Sequence, residues 1–475
     1  MDTNKTPGRS GGRGGARPTA AVVGAGIVGA ATAYALARAG WAVTLIDGHA
    51  SPGQGESRAN GAQLSYSYVE PLATPDALRS LPGWLLSADS PLRWRPRPEA
   101  AHLRWLAAFV AACRWSQVRR TTEALLSLSG LSRDTLNRWL AEQPGLGEQG
   151  LHARPGKLVV YRKPGARAGV ERQLAWQREL GCEQRLVEAA ECIALEPALA
   201  AGGGGPIAFG VWTASEEVID AARLAQGLSQ ASGAELRFDT TVRSIERGRG
   251  AGLRLQLARQ MAGNASMAAQ MAGSGSSAEP PAGKARPAGP AAGVAGPPSG
   301  AIEVDHLVIA AGPATEALLR PWGWAPPIEP IRGYSITLPI VGGAAAPRAS
   351  VTDQGRKLVY ARLGAQLRVA GFAELCGPER RVDPRRIEAL CQAVRETFPG
   401  ACRFDDPQPW VGLRPATPGG RPLVGATRWP GVWLNAGHGA LGLTLACGSA
   451  ALLTSMMSGH AAPIPAAPFA PPAAA

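Results

Sequence analysis

Short apolar runs broken by glycine-rich turns alternate along this chain with longer stretches of helical spacing. From Thr19 the text TAAVVGAGIVGAATAYALARAGWAVTLIDG reads as a buried strand, a turn, a helix of small residues stopped at Gly40, and a second strand ending at Asp47. That is a βαβ unit. Residues 84 to 140 place Trp and Leu at helical spacing and predict two or three helices, with Trp84, Trp94, Trp105 and Trp115 read as core packing. Alternating apolar residues and turn signals between Arg154 and Tyr161, and again across Ile328 to Ala373, predict antiparallel strands. The expected fold class is α/β (α+β): a Rossmann-like dinucleotide-binding domain with a second, antiparallel-sheet substrate domain.

Breaks in the pattern set the expected domain boundaries. The dinucleotide-binding domain is assigned three pieces, 19–83, 197–330 and 405–460, and the substrate domain two, 84–196 and 331–404. Residues 262–300 hold no aromatic residue, no Leu, no Ile and a single Val, a composition too poor in apolar surface to offset its ordering entropy. They are read as a disordered insertion in a hairpin loop between strand-like pieces at Gly252 to Leu257 and Ala301 to Val304. The arm 1–18 and the Pro/Ala-rich tail 461–475 are read as disordered as well.

Composition narrows the class. The 475 residues are 45% hydrophobic and 18% charged, which supports a large core and excludes a fibre or a disulfide-stapled scaffold. Apolar runs such as Leu106 to Cys113 fall far below the ~18 residues of a spanning helix. No secretory signal follows the arginines of the first 18 residues, so a cytoplasmic location is expected. The net charge of +13 invites a nucleic-acid reading. Only five of the 49 basic residues are Lys, however, and the arginines are scattered, so compositional bias is preferred, with attraction to an anionic membrane surface as the functional alternative. Seven cysteines without a CxxC give neither a disulfide framework nor a zinc site, and no metal is expected.

The chemistry is concentrated at both ends. Gly24-Ala25-Gly26-Ile27-Val28-Gly29 is a GxGxxG that leaves a strand, opens a helix and is followed 18 residues after Gly29 by Asp47. In this context Gly24 permits the turn, Gly26 admits a pyrophosphate, Gly29 allows close packing, and Asp47 accepts from ribose hydroxyls. Helices then replace strand–helix alternation, which favours FAD over NAD. Downstream stand Val308-Ile309-Ala310-Ala311-Gly312-Pro313, Trp410-Val411-Gly412-Leu413-Arg414-Pro415, and Asn435-Ala436-Gly437-His438-Gly439-Ala440-Leu441-Gly442-Leu443-Thr444.

Together with ANGAQLSYSYVEPLA, GYSITLPI and RVAGFAEL, these segments resemble the D-amino acid dehydrogenase branch of the FAD-dependent D-amino acid oxidase superfamily from about Ala20 to Gly459. The resemblance implies a two-lobed flavoenzyme that converts a D-amino acid such as D-alanine to a 2-oxo acid and ammonia and passes electrons to a quinone. It implies FAD contacts from Gly24, Gly26, Gly29, Asp47, Asn60, Gln63, Val242, Gly312, Gly437, Gly439, Gly442, Leu443 and Thr444. Arg414 becomes the substrate-carboxylate arginine and Tyr334 a second carboxylate or amine contact.

A guanidinium suits a planar carboxylate because two parallel hydrogen bonds form at once. His438 is expected to act through its backbone, and Cys447 to be a small core residue rather than a flavin attachment point. Phe372, at a position often small in the family, is expected to narrow the substrate pocket. An oxygen-using oxidase of glycine, sarcosine or a D-amino acid, and a non-catalytic dinucleotide-binding or nucleic-acid-binding protein, remain the alternatives.

Overall fold

The computed structural model describes residues 17–69, 71–79, 92–95, 97–248, 252–260 and 295–472. Trp84, the 1–16 part of the arm and the 262–294 part of the expected insertion lie outside the described residues.

The βαβ unit forms as read. Strand Thr19–Val23 runs parallel to Ala42–Ile46 on one side and to His306–Ile309 on the other. The six-stranded sheet is completed by Glu235–Arg237, Val432–Ala436 and an antiparallel edge, Leu423–Ala426. Its central strands are short and mostly apolar, as expected for a sheet covered on both faces, while the edge strand Glu235–Arg237 is charged and largely exposed. Helix Ile27–Arg38, rich in Ala, packs closely against helix Gly442–Met457, which also contacts helix Trp115–Glu142. On the opposite face lies a three-stranded antiparallel sheet of Thr240–Arg247, Leu253–Gln260 and Ala295–Val304.

The second lobe is a nine-stranded mixed sheet in which Glu329–Pro339 lies between Gln408–Ala416 and Gln366–Leu375. Helix Pro384–Thr397 covers one face with Leu390, Val394 and the following Phe398. The other face looks toward the first lobe.

Several boundaries move. Strand Phe209–Thr213 pairs with Lys157–Tyr161, and Gln408–Ala416 with Glu329–Pro339, so segments assigned to the dinucleotide-binding domain belong to the large sheet. Pairing partners far away in sequence decide this, and no local pattern reports them. The hairpin around the insertion is present, but its second strand starts at Ala295 rather than Ala301, with Pro298 opposite Ala258. A proline- and glycine-rich text hid a strand that only its pairing with Leu253–Gln260 defines.

The tail also departs from expectation over its described residues 461–472. Ala467–Phe469 forms a turn, and Phe469, 1% exposed, joins the core of Val424, Leu453 and Met457. One aromatic side chain anchors an otherwise featureless stretch. Trp115 is 54% exposed, so the tryptophan series is not uniformly core. The stretch Gly439–Met457 is long and apolar enough to cross a membrane by length and composition, because Gly, Ser and Thr bridge its apolar residues. Here most of it is buried as the central helix of the first lobe.

Candidate active site

A cavity of about 1080 Å³ runs between the lobes, from the Gly24–Gly26 turn to Arg414. That is at the upper end of the range for small-molecule sites and suits a large, elongated ligand.

At one end the glycine turn is sterically committed. Gly24 holds φ at +105°, and a Cβ on Gly29 would lie 1.7 Å from the Gly24 carbonyl oxygen. Strand, turn and helix can approach this closely only with hydrogen at those positions. A Cβ on Gly26 would meet nothing nearer than Ser57 Oγ at 3.3 Å, so the space beside its backbone is open for a ligand. Ser57, not anticipated as a site residue, accepts from the Ile27 amide at 2.9 Å and secures the helix start. Asp47 Oδ2 accepts from the Ala25 amide at 2.6 Å, and Oδ1 from the His49 amide at 2.8 Å. Asp47 therefore braces the turn as well as facing the cavity. The His49 ring, 2.7 Å away, has its pKa raised by this carboxylate.

Val242 and Gly312, the latter at φ +54°, line the same end. In the middle, Asn60 Oδ1 accepts from the Ala62 amide, and the Gln63 amide nitrogen donates to Ser350 Oγ at 2.6 Å. Gln63 thus ties the segment between the lobes to the large sheet.

Residues Asn435 to Thr444 form the facing wall. Gly437 and Gly439 take positive φ, a turn of Gly439–Leu441 follows, and helix Gly442–Met457 starts with Gly442, Leu443 and Thr444 on the cavity wall. Such a terminus carries about half a positive charge. Thr444 Oγ1 accepts from the Ser65 amide at 3.1 Å. Leu443 is buried beside it. His438 is buried with Nε2 3.1 Å from Ser449 Oγ, and burial holds its pKa down to about 3, so the ring is neutral and unsuited to catalysis as a base. Cys447 is buried in the helix core, and burial pushes its thiol up to about 12, in keeping with a packing role.

At the other end Arg414 projects from strand Gln408–Ala416 across Gly333, where a Cβ would lie 2.5 Å from Nη2. Its Nη1 donates to the Phe372 carbonyl at 2.7 Å and Nη2 reaches the Gly371 carbonyl at 3.5 Å. A register shift in the pairing of the strand Gln366–Leu375, with Phe372 at φ +60°, accompanies this arrangement. Among the described residues no carboxylate lies within 4.0 Å of Arg414, and burial alone lowers its pKa to about 10. It remains charged at neutral pH and lacks a counter-ion among the described residues.

Tyr334 goes elsewhere. Side chains alternate along a strand, and Tyr334 points to the face under helix Pro384–Thr397, where its hydroxyl donates to Glu374 Oε2 at 3.0 Å. Glu374 is itself held by Arg386 at 2.9 Å. The structure therefore does not bring the Tyr334 hydroxyl to Arg414. The Phe372 ring is also on that side, under Arg386 at 4.5 Å and edge-on to Tyr334, so it is a core ring and not a pocket wall. Its carbonyl is what the site uses. Nearer Arg414 the cavity is lined by Trp105 and Phe109, and Trp105 Nε1 donates to the Ala416 carbonyl at 2.9 Å. Their helical spacing was legible as core, but not that it walls the site.

The glycine turn, the open face at Gly26 and the helix terminus fit a flavin dinucleotide: Gly24, Gly26 and Asp47 would hold its adenosine diphosphate half, and Gly437 to Thr444 the flavin. Comparison with known proteins agrees. The family model described as FAD dependent oxidoreductase matches residues 19–456. The "D-amino acid dehydrogenase 2" of Ralstonia nicotianae is 44% identical, over 94% of this chain and 98% of that protein. The protein of the same name from Pseudomonas aeruginosa is 40% identical, over 92% and 94%. Among solved structures, glycine oxidase from Geobacillus kaustophilus superposes with a TM-score of 0.68 at 18% identity, over 95% of this chain and 98% of that one, and shows the shared fold. This chain belongs to the family of FAD-dependent oxidoreductases.

Proposed function

We propose that the protein is an FAD-dependent D-amino acid dehydrogenase, which oxidises a D-amino acid such as D-alanine to the 2-oxo acid and ammonia and passes the electrons to a quinone-type acceptor. The observation that carries the reading is Arg414: a charged guanidinium, held by backbone carbonyls and lacking a counter-ion among the described residues, faces a cavity large enough for flavin and substrate. A buried cation of this kind is costly unless an anion completes it, and an α-carboxylate does so with two parallel hydrogen bonds. The choice of a D-amino acid rests on the names of the two relatives.

When bound, FAD supplies the acceptor for the two electrons and the hydrogen that leave the substrate Cα. The chain's own part is to fix and to shield. Arg414 orients the carboxylate, and Gly333 leaves it room. Trp105 and Phe109 provide apolar walls that keep water from the reacting carbon. Neutral, weakly basic His438 is no acceptor for the substrate ammonium proton, so the form that reacts is the free amine, its proton released to water before binding. Delivery of electrons to a quinone would set the protein at the inner face of the plasma membrane, with its basic surface toward anionic lipid.

The test is turnover of a panel of D- and L-amino acids with an artificial electron acceptor. The reading expects reduction of the acceptor with D-amino acids alone and no stoichiometric hydrogen peroxide in air. Peroxide formation at the full rate of turnover would assign an oxidase instead, and inactivity with every D-amino acid would reject the reading.

A further inference from the structure

Lys157 is a second cation on the cavity wall that has no carboxylate within 4.0 Å among the described residues. It opens strand Lys157–Tyr161 and is 3% exposed. Its Nζ donates to Ser65 Oγ at 2.7 Å and sits 4.5 Å from the centre of the Tyr68 ring. The Ser65 amide in turn donates to Thr444 Oγ1, in the first turn of helix Gly442–Met457. Ser65, Lys157 and Thr444 all line the cavity.

Glu216 lies behind this chain. It is buried, accepts from the Ser67 amide at 2.8 Å through Oε1, and leaves Oε2 without a partner among the described residues. Burial pushes its carboxyl above the usual range, while it holds the Lys157 amine down to about 8, so that the amine is still mainly protonated at neutral pH.

A flavin gains negative charge when it is reduced, and fixed positive charge in a dry site favours that state. We propose that Lys157, linked through Ser65 to Thr444 at the start of the Gly442–Met457 helix, is a positioning residue that raises the reduction potential of the bound FAD. The helix terminus supplies partial charge at the same wall, and Lys157 adds a whole one.

The experiment measures the reduction potential of the purified holoprotein against a reference dye under anaerobic conditions, after flavin content has been verified by absorbance. Removing one charge in a low-dielectric site changes such an equilibrium by about tenfold or more. Lys157→Met should therefore shift the ratio of oxidised to reduced flavin about tenfold toward oxidised, equivalent to about 30 mV for a two-electron couple. Lys157→Arg keeps the charge and should stay close to the parent. Lys157→Gln, neutral but still able to donate toward Ser65, should shift the ratio in the same direction as Lys157→Met, and it carries the test if that variant yields no holoprotein. A ratio within about threefold of the parent for a neutral variant that yields holoprotein, or a Lys157→Arg shift as large as that of the neutral variant, would overturn the proposal.

Discussion

The Arg414 guanidinium donates to the carbonyl of Phe372 at 2.7 Å, while the Phe372 ring packs under Arg386 on the far side of the sheet. One residue thus separates its two functions by a backbone at φ +60°. A non-glycine residue in that region costs on the order of 1–3 kcal/mol, and the aromatic core around the ring offsets it. The strained strand aims a neutral acceptor at the arginine, which fixes its direction without cancelling its charge.

Replacing Arg414 by Leu should leave flavin bound but remove the charge-assisted pair with substrate. Loss of such a pair in a dry site costs roughly 2–5 kcal/mol, or about 30- to 5,000-fold in kcat/KM. Steady-state kinetics alongside the flavin spectrum measure this. A kcat/KM within about threefold of the parent would remove Arg414 from substrate binding.

Gly333→Ala probes the same site from underneath. The new Cβ would lie 2.5 Å from Arg414 Nη2, so the guanidinium must move. A displacement of about 1 Å in a positioned group costs on the order of 100-fold in rate. The expected outcome is a folded, yellow protein with most of that loss in kcat/KM, and unchanged kinetics would contradict the close approach.

His438 gives a pH signature in stability. Its folded pKa of about 3 is depressed from an unfolded value near 6.5. The unfolded chain therefore binds a proton that the folded one does not across that interval, and stability falls as pH drops from about 6.5 toward 3. The slope attributable to one proton is at most about 1.4 kcal/mol per pH unit. Denaturant unfolding of the holoprotein at several acidic pH values should show the parent losing stability more steeply than His438→Gln. Parallel profiles would contradict the neutral, buried ring.

Phe469 tests the tail. Its burial against Val424 and Leu453 predicts that Phe469→Ala costs about 3–5 kcal/mol. Thermal unfolding should drop by several degrees. A midpoint unchanged within about 1 °C would show that the tail does not anchor the first lobe.

The first lobe was readable because its signals are local. Gly24, Gly26, Gly29 and Asp47 lie within one βαβ unit, and the structure places Gly24, Gly26 and Asp47 on the wall at one end of the cavity, with Gly29 packed against Gly24. Arg414 was singled out by its motif, and the structure places it on the cavity wall. Tyr334 was misread because strand alternation sends neighbours to opposite faces, and the text does not say which face is covered by a helix. Trp105 was read as core, since a wall of a cavity and a core share the same periodicity, and Phe109 was not singled out. Lys157 left only one trace, its rarity in a chain with five lysines among 49 basic residues. Its environment is built by Ser65, Glu216 and Thr444, which come together only through long-range pairing.

The most direct measurement follows the flavin itself. The purified protein is mixed anaerobically with D-alanine or L-alanine, and the reduced sample is then divided between air-saturated buffer and a soluble ubiquinone analogue. The account predicts that D-alanine alone bleaches the yellow colour, and that the quinone restores it quickly while oxygen does so slowly. Failure of every D-amino acid in a panel to bleach the flavin would contradict the assigned chemistry. Reoxidation by oxygen as fast as by quinone, with stoichiometric peroxide, would contradict the dehydrogenase assignment.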